Sequence, residues 1–172
     1  MIGRMFRAAR LESGLYEEVE HDSLATPQAM AVVLIASIAA GVGSIGEGGV
    51  GGLVLGSLWA LGTWLLWSLI TYLIGTRLLA SAQTQATYGQ LLRTIGFSSS
   101  PGIIRVLGLI PALFTVVNVV AALWMLVAMV IAVRQALDYT STWRAVVVVG
   151  IGWVIQIGVF VALVSLVGLG TA

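Results

Sequence analysis

The 172-residue sequence contains no cysteine and no lysine, a single histidine and three prolines, and only 9% of its residues are charged. Without cysteine there is no disulfide, no thiolate metal site and no cysteine nucleophile. With His21 alone, zinc sites of the HExxH type are excluded. A soluble domain carries about 25% charged residues to wrap its core; eight arginines and seven acids cannot cover a water-facing surface of this size. A net charge of +1 gives no reason to expect nucleic acid as a partner.

What is abundant is apolar. Hydrophobic residues make up 59% of the chain and the mean hydropathy is +1.07. A hydrocarbon core of about 30 Å needs about 20 apolar residues per helix, so the chain is expected to be an all-α, polytopic membrane helix bundle. Two parts are expected: a cytosolic amphipathic N-terminal segment over 1–26 and a transmembrane domain over 27–172. The spans are placed at about 27–46, 50–75, 101–115, 116–133 and 145–169.

The N-terminal segment holds Arg4, Arg7 and Arg10 and five of the acids. Ile2, Met5, Phe6 and Ala9 fall at i, i+3, i+4 and i+7, one face of a helix with the arginines off it. Such a helix can lie in the headgroup layer with its guanidiniums toward anionic lipid, or pack on the protein's own cytosolic surface. Thr26-Pro27 is a start signal for the first span. Tyr88, Leu91, Leu92 and Ile95 repeat the one-face spacing and predict a second short interfacial helix. Ser100-Pro101 repeats the start signal. The stretch from Pro101 to Val133 is too long for one crossing and short for two; Pro111, Thr115 and Asn118 offer a place to break it.

Charge decides the expected count. Basic residues in short loops stay cytoplasmic, and with five crossings Arg4, Arg7, Arg10, Arg77, Arg93, Arg134 and Arg144 share one side. Five spans with the N-terminus in the cytosol is the reading. Arg105 sits about one turn inside the third span, from where it can snorkel back to the interface.

Few residues can carry chemistry. Asn118 and Gln156, with Arg105, are the candidate intramembrane polar groups; the first two can equally satisfy neighbouring backbone or helices. Arg4, Arg7, Arg10 and Arg93 are the candidate lipid- or partner-facing residues. Gly48, Gly52 and Gly56 form a smooth ridge suited to close helix packing, either against Ala36, Ala40 and Ser44 in a hairpin or in a homo-oligomer. The deep tryptophans are read as packing partners for these ridges or as the lining of a ligand cavity. No Asp, Glu or His lies in the middle of a span, no GxSxG is present, and no cofactor-binding motif occurs. An enzyme is not expected.

From Tyr88 onward the chain resembles a bacterial member of the Yip1 family. The resemblance rests on Tyr88-Gly89-Gln90-Leu91-Leu92-Arg93, on Gly96-Phe97 leading to Pro101, and on Gly108-Leu109-Ile110-Pro111. It continues through a span containing Trp124 to Arg134-Gln135-Ala136-Leu137. It implies a non-enzymatic five-helix bundle with a cytosolic N-terminus, in the bacterial inner membrane. Eukaryotic relatives carry a cytosolic Asp-Leu-Tyr-Gly-Pro motif linked to GTPase binding; here Leu15-Tyr16 has no Gly-Pro after it, so that binding is not carried over. The leading expectation is a membrane-organising or adaptor protein with lipid and a protein partner at its cytosolic face. The alternative is a small transporter, channel or lipid-moving protein.

Overall fold

The computed structural model describes residues 1–43 and 49–169, and among these all regular structure is helical. Two short helices, α1 (Ile2–Ala9) and α2 (Ser13–His21), precede α3 (Thr26–Gly43). Next come α4 (Gly49–Leu73), which runs into a π-helical turn at Ile74–Leu78, and α5 (Tyr88–Ser98). Two 3-10 stretches, Ser100–Leu109 and Pro111–Leu113, lead into α6 (Phe114–Ala136), and α7 (Thr142–Leu169) closes the chain. The expected helix at the N-terminus and the one beginning at Tyr88 both form. The latter starts with a capping box, in which Thr87 accepts from the Gln90 amide and the Gln90 side chain accepts from the Thr87 amide.

Four helical stretches are long and apolar enough to cross a membrane: Ser23–Gly43, Gly51–Leu78, Pro111–Ala136 and Thr142–Ala162. Their outward faces are made of groups such as Leu55, Leu58, Val116, Leu123, Val154 and Phe160, all exposed. An apolar belt of this extent is stable only against lipid.

The expected boundary between spans at 115 and 116 is corrected. Thr115 and Asn118 lie inside the first turns of α6, and the chain breaks at Ile110, which is extended (φ −87°, ψ 107°) ahead of Pro111. Proline disfavours the α conformation of the residue before it, so the break belongs to the proline and not to the polar pair.

The stretch expected as a third α-helical span is 3-10 instead, and its packing explains why. Ala29, Ala36 and Gly43 recur every seven residues, two α turns, along one side of α3. Gly102 and Gly108 stand six apart in the 3-10 stretch, two turns of such a helix, and Gly96, near the end of α5, precedes Gly102 by the same interval. The two rows meet point for point. A Cβ at Gly96 would lie 2.7 Å from Ala29 Cβ, one at Gly102 would lie 3.1 Å from Ala36 Cβ, and one at Gly43 would collide with the Arg105 carbonyl beside Gly108. The segment therefore runs beside α3 in the same direction. At about 2.0 Å per residue its ten residues reach about 20 Å. Ile103, Val106 and Leu109, again three apart, form its exposed stripe.

The hairpin expected along the glycine ridge of α4 is also corrected. Gly52 and Gly56 are exposed, with nothing within 4 Å of the space a Cβ would fill. The contact between α3 and α4 is made by the next face, where Leu53 presses on Gly41 and the Ser37 hydroxyl donates to Ser57 (3.2 Å). Gly48, Glu47 and Ser44 lie outside the described residues.

One hydrophobic core joins the N-terminal helices to the bundle. Leu15, Tyr16 and Val19 of α2 are fully buried and cluster with Ala29, Leu91, Ile95, Phe97, Val133 and Leu137. Trp64 and Trp67 are buried too: the Trp64 indole donates to the Leu92 carbonyl (3.0 Å), and the Trp67 ring lies over Gly152. Two helices end in left-handed residues that are not glycine, Leu11 (φ 61°) and Asp138 (φ 51°). At both, the next amide reaches back five residues, Glu12 to Arg7 (3.1 Å) and Tyr139 to Arg134 (2.9 Å), a Schellman closure.

Candidate functional site

The polar residues gather at one end of the bundle. The loop after α4 and the connection between α6 and α7 meet there: Thr84 Oγ1 donates to the Leu137 carbonyl (2.9 Å), and the Tyr139 hydroxyl donates to the carbonyls of Leu79 (2.8 Å) and Gly75 (3.2 Å). α2 and the first turns of α5 complete this end. Trp143, exposed at the start of α7, has the place of an interfacial anchor.

Most of the arginines expected to face lipid or a partner are engaged within the protein. Arg4 bridges Glu18 (2.8 Å) and Asp22 (2.9 Å) and donates to Gln28 Oε1 (3.2 Å). Arg7 pairs with Glu12 (3.0 Å) and with Glu18. The Arg7 and Arg4 hydrogen bonds hold the Glu18 carboxyl below its ordinary range. Arg93 reaches from α5 to the last turn of α2, donating to the carbonyls of Val19 (2.8 Å) and Glu20. Arg10 is exposed and has no ion pair among the described residues. α1 is tied down further where its chain ends: the Trp124 indole donates to the Ala9 carbonyl (2.8 Å).

The amphipathic face of α1 is divided. Met5 and Ala8 are buried, whereas Ile2 and Phe6 are 65% and 66% exposed. The two readings of this helix thus describe its two sides, one packed on the protein and one left uncovered. With exposed Leu24 nearby in sequence, these residues and Arg10 are among the groups that the charged end leaves uncovered.

Glu20 is the carboxylate that the sequence did not single out. It is buried and accepts from Gln90 Nε2 (3.0 Å). Burial, with repulsion from Asp138 and Glu17 opposed by His21 and Arg93, pushes it up to about 7. Below about pH 4.5 folded and unfolded chains both carry this proton. As pH rises toward 7 the unfolded chain ionises while the folded one keeps its proton, so stability falls with pH across that window. Protease resistance of the α2 region in detergent is expected to weaken from pH 4.5 to 7. Glu20→Gln should flatten the profile; an unchanged slope would show that another group sets it.

The intramembrane candidates do not come together. Asn118 donates its side-chain amide back to the Phe114 carbonyl (2.9 Å), so it serves its own helix. Gln156 lines an apolar groove of about 670 Å³ between α4 and α7, with Leu55, Gly56, Thr63 and Phe160, and its buried Oε1 has no partner among the described residues. The Trp59 and Phe160 rings meet edge-to-face across this groove at 6.2 Å. Arg105 lines a second cavity, of about 290 Å³, where α3, α4, the 3-10 segment, α6 and α7 converge. Among the described residues no group of three or more His, Asp or Glu could hold a metal ion.

Helices with lipid-facing belts, a polar end assembled from the N-terminus and two connections, and scattered intramembrane polar groups define a multi-pass membrane protein. The chain belongs to the Yip1 domain family, whose profile matches residues 14–163, from α2 into α7. That is a non-enzymatic membrane family. Neither a curated protein nor a solved structure matches the chain.

Proposed function

We propose that this protein is a membrane-organising or adaptor protein of the Yip1 family without catalytic activity, placed in the bacterial inner membrane with its arginine-bearing end in the cytosol. The orientation follows from charge, since Arg4, Arg7, Arg10, Arg77, Arg93, Arg134 and Arg144 belong to that end. The 3-10 segment beside α3 supplies the additional pass that brings the number of passes to five. Residues 1–26 form the docking platform and 27–172 the anchor.

The observation that carries the reading is the uncovered side of α1: two large apolar side chains, Ile2 and Phe6, stand free on a helix whose other side and two arginines are fixed to the protein. Fixing the helix lowers the entropic cost of presenting that face to a partner. Photocrosslinking from position 6 in native membranes is expected to give discrete protein adducts, lost in Ile2→Asp/Phe6→Asp while the bundle's melting point is kept. Adduct formation with lipid only, or an adduct pattern unchanged by the double substitution, would overturn the adaptor reading. Charge reversal at Arg10 is a clean companion. Reversal at Arg4 or Arg7 is not, because it breaks the bridges to Glu18.

A transport or lipid-moving role is the second reading, favoured by the unpartnered Gln156 in the groove between α4 and α7.

A further inference from the structure

Arg105 differs from every other arginine of the protein. Arg4, Arg7, Arg93 and Arg134 have side-chain or carbonyl partners, and Arg10, Arg77 and Arg144 are exposed. Arg105 is half-buried, its Nε is fully buried, and it makes no hydrogen bond or ion pair with a described residue. It lines the central cavity beside Val33, Ala36 and Ser37, in the middle of α3. Its Nε is thus shut off from solvent beside the middle of α3. Guanidinium in such a place is retained only with a counter-charge or water.

A second residue lining the same cavity carries an unpaired donor. The Trp67 indole N–H is buried without an acceptor among the described residues. Two buried donors, one of them cationic, are matched by an oxyanion: a guanidinium Nε–H and an indole N–H both donate and neither accepts. At about 290 Å³ the cavity has several times the ~30 Å³ share of one water. Its rim extends the argument. Trp59 and Thr63 belong both to this cavity and to the apolar groove between α4 and α7. The cavity around Arg105 therefore adjoins, across Trp59 and Thr63, a groove of about 670 Å³ lined almost wholly by apolar groups.

We infer that the bundle holds an oxyanion-headed amphiphile, its phosphate or carboxylate on Arg105 and Trp67 and its acyl chain along the groove between α4 and α7. This site is separate from the platform formed by α1 and does not depend on the adaptor reading.

The test uses the full chain reconstituted in neutral phosphatidylcholine nanodiscs, with the cavity tryptophans as reporters. Brominated-chain phosphatidylglycerol and brominated-chain phosphatidylcholine are titrated separately. The anionic lipid is expected to reach half-maximal quenching at about tenfold lower mole fraction, which corresponds to about 1.4 kcal/mol. Arg105→Gln should remove this preference, Arg105→Lys should keep part of it, and Arg77→Gln, an exposed arginine outside the cavity, should leave it intact. Trp67→Phe, which deletes the second donor and keeps a ring, should weaken it and serves if Arg105→Gln does not fold. Millimolar inorganic phosphate that relieves the preferential quenching assigns the seat to oxyanions from either phase. Quenching unmoved by phosphate assigns it to the lipid headgroup. Equal quenching by the two lipids, or an undiminished preference in both Arg105→Gln and Trp67→Phe, would overturn the inference.

Discussion

Valine in place of Gly96 is expected to lower the stability of the bundle by about 3 kcal/mol, the upper part of the range for overpacked interiors. A Cβ at this position would stand 2.7 Å from the Ala29 Cβ and 3.2 Å from both the Cα and the carbonyl oxygen of Ala29. Two of those three atoms are backbone, so no rotamer change can relieve the clash, and α5 must lift away from the start of α3. Phe97, Leu91 and Ile95, all buried on α5, would lose packing with it. Denaturant or thermal unfolding in mild detergent reads the effect. Ala29→Gly in the same chain should recover part of the loss, because it removes the nearest contact. Gly14→Ala provides the contrast: nothing lies within 4 Å of its Cβ position inside α2, so it should be neutral or stabilising by about 0.5–1 kcal/mol. If Gly96→Val and Gly14→Ala behaved alike, the close seat on α3 would be refuted.

Arg93→Met is expected to free α2 from the bundle at a cost of about 2–4 kcal/mol. The guanidinium supplies donors to the Val19 and Glu20 carbonyls, which fall in the last turn of α2, where carbonyls have no partner within their own helix. Charge-assisted bonds of this kind contribute about 1.5–3 kcal/mol each, and methionine preserves the aliphatic stem while leaving both acceptors partly desolvated. Cleavage by a glutamate-specific protease at Glu17 and Glu18, or hydrogen exchange over α2, should accelerate by roughly 30-fold or more, since each 1.4 kcal/mol is a factor of ten. Arg93→Lys should not rescue, because an ammonium lacks the planar fork that spans two carbonyls. Unaltered exchange in Arg93→Met would mean that the buried faces of Leu15, Tyr16 and Val19 hold α2 by themselves.

Elements with a full period of apolar residues are legible in the sequence. α1 and α5 lie where the spacing of Ile2, Met5, Phe6 and Ala9, and of Tyr88, Leu91, Leu92 and Ile95, places them. α2 is not, because its apolar triplet Leu15, Tyr16 and Val19 is short and diluted by Glu17, Glu18 and Glu20. The 3-10 stretch was hidden for a different reason. Hydropathy weighs composition and takes α rise for granted, whereas Gly102, Arg105 and Gly108 reveal their common face only at three residues per turn. The tryptophans do not act together as packing partners for the small-residue ridges: Trp64 and Trp67 are buried among helices, whereas Trp59 and Trp153 are exposed and nothing covers Gly52 and Gly56.

The candidate site was legible only as a list of residue types. Charge in a sequence marks an arginine but not its partner, and Glu18 is 14 residues from Arg4 and 11 from Arg7. Those bridges convert residues expected to face outward into internal ties. Small-residue ridges suffer the same limit: Gly52 and Gly56 have the right spacing for close packing, yet the face of α4 that meets α3 is set by where Leu53 and Ser57 fall. The cavity around Arg105 draws on residues from Val33 to Trp153 and has no local signature at all.

The pairing of a seven-residue repeat on α3 with a six-residue repeat on its neighbour works like a vernier. Seven α residues advance about 10.5 Å and six 3-10 residues about 12 Å, so the marks stay aligned only over the short length used. Were the Ser100–Leu109 segment rewound as α-helix, it would shorten by about 5 Å and turn Gly108 roughly 120° away from Gly102. The winding of this one segment thus sets both the reach of the chain to Pro111 and the compass bearing of Arg105. A designer wishing to re-aim that guanidinium would alter the pitch of the rod and leave the arginine untouched.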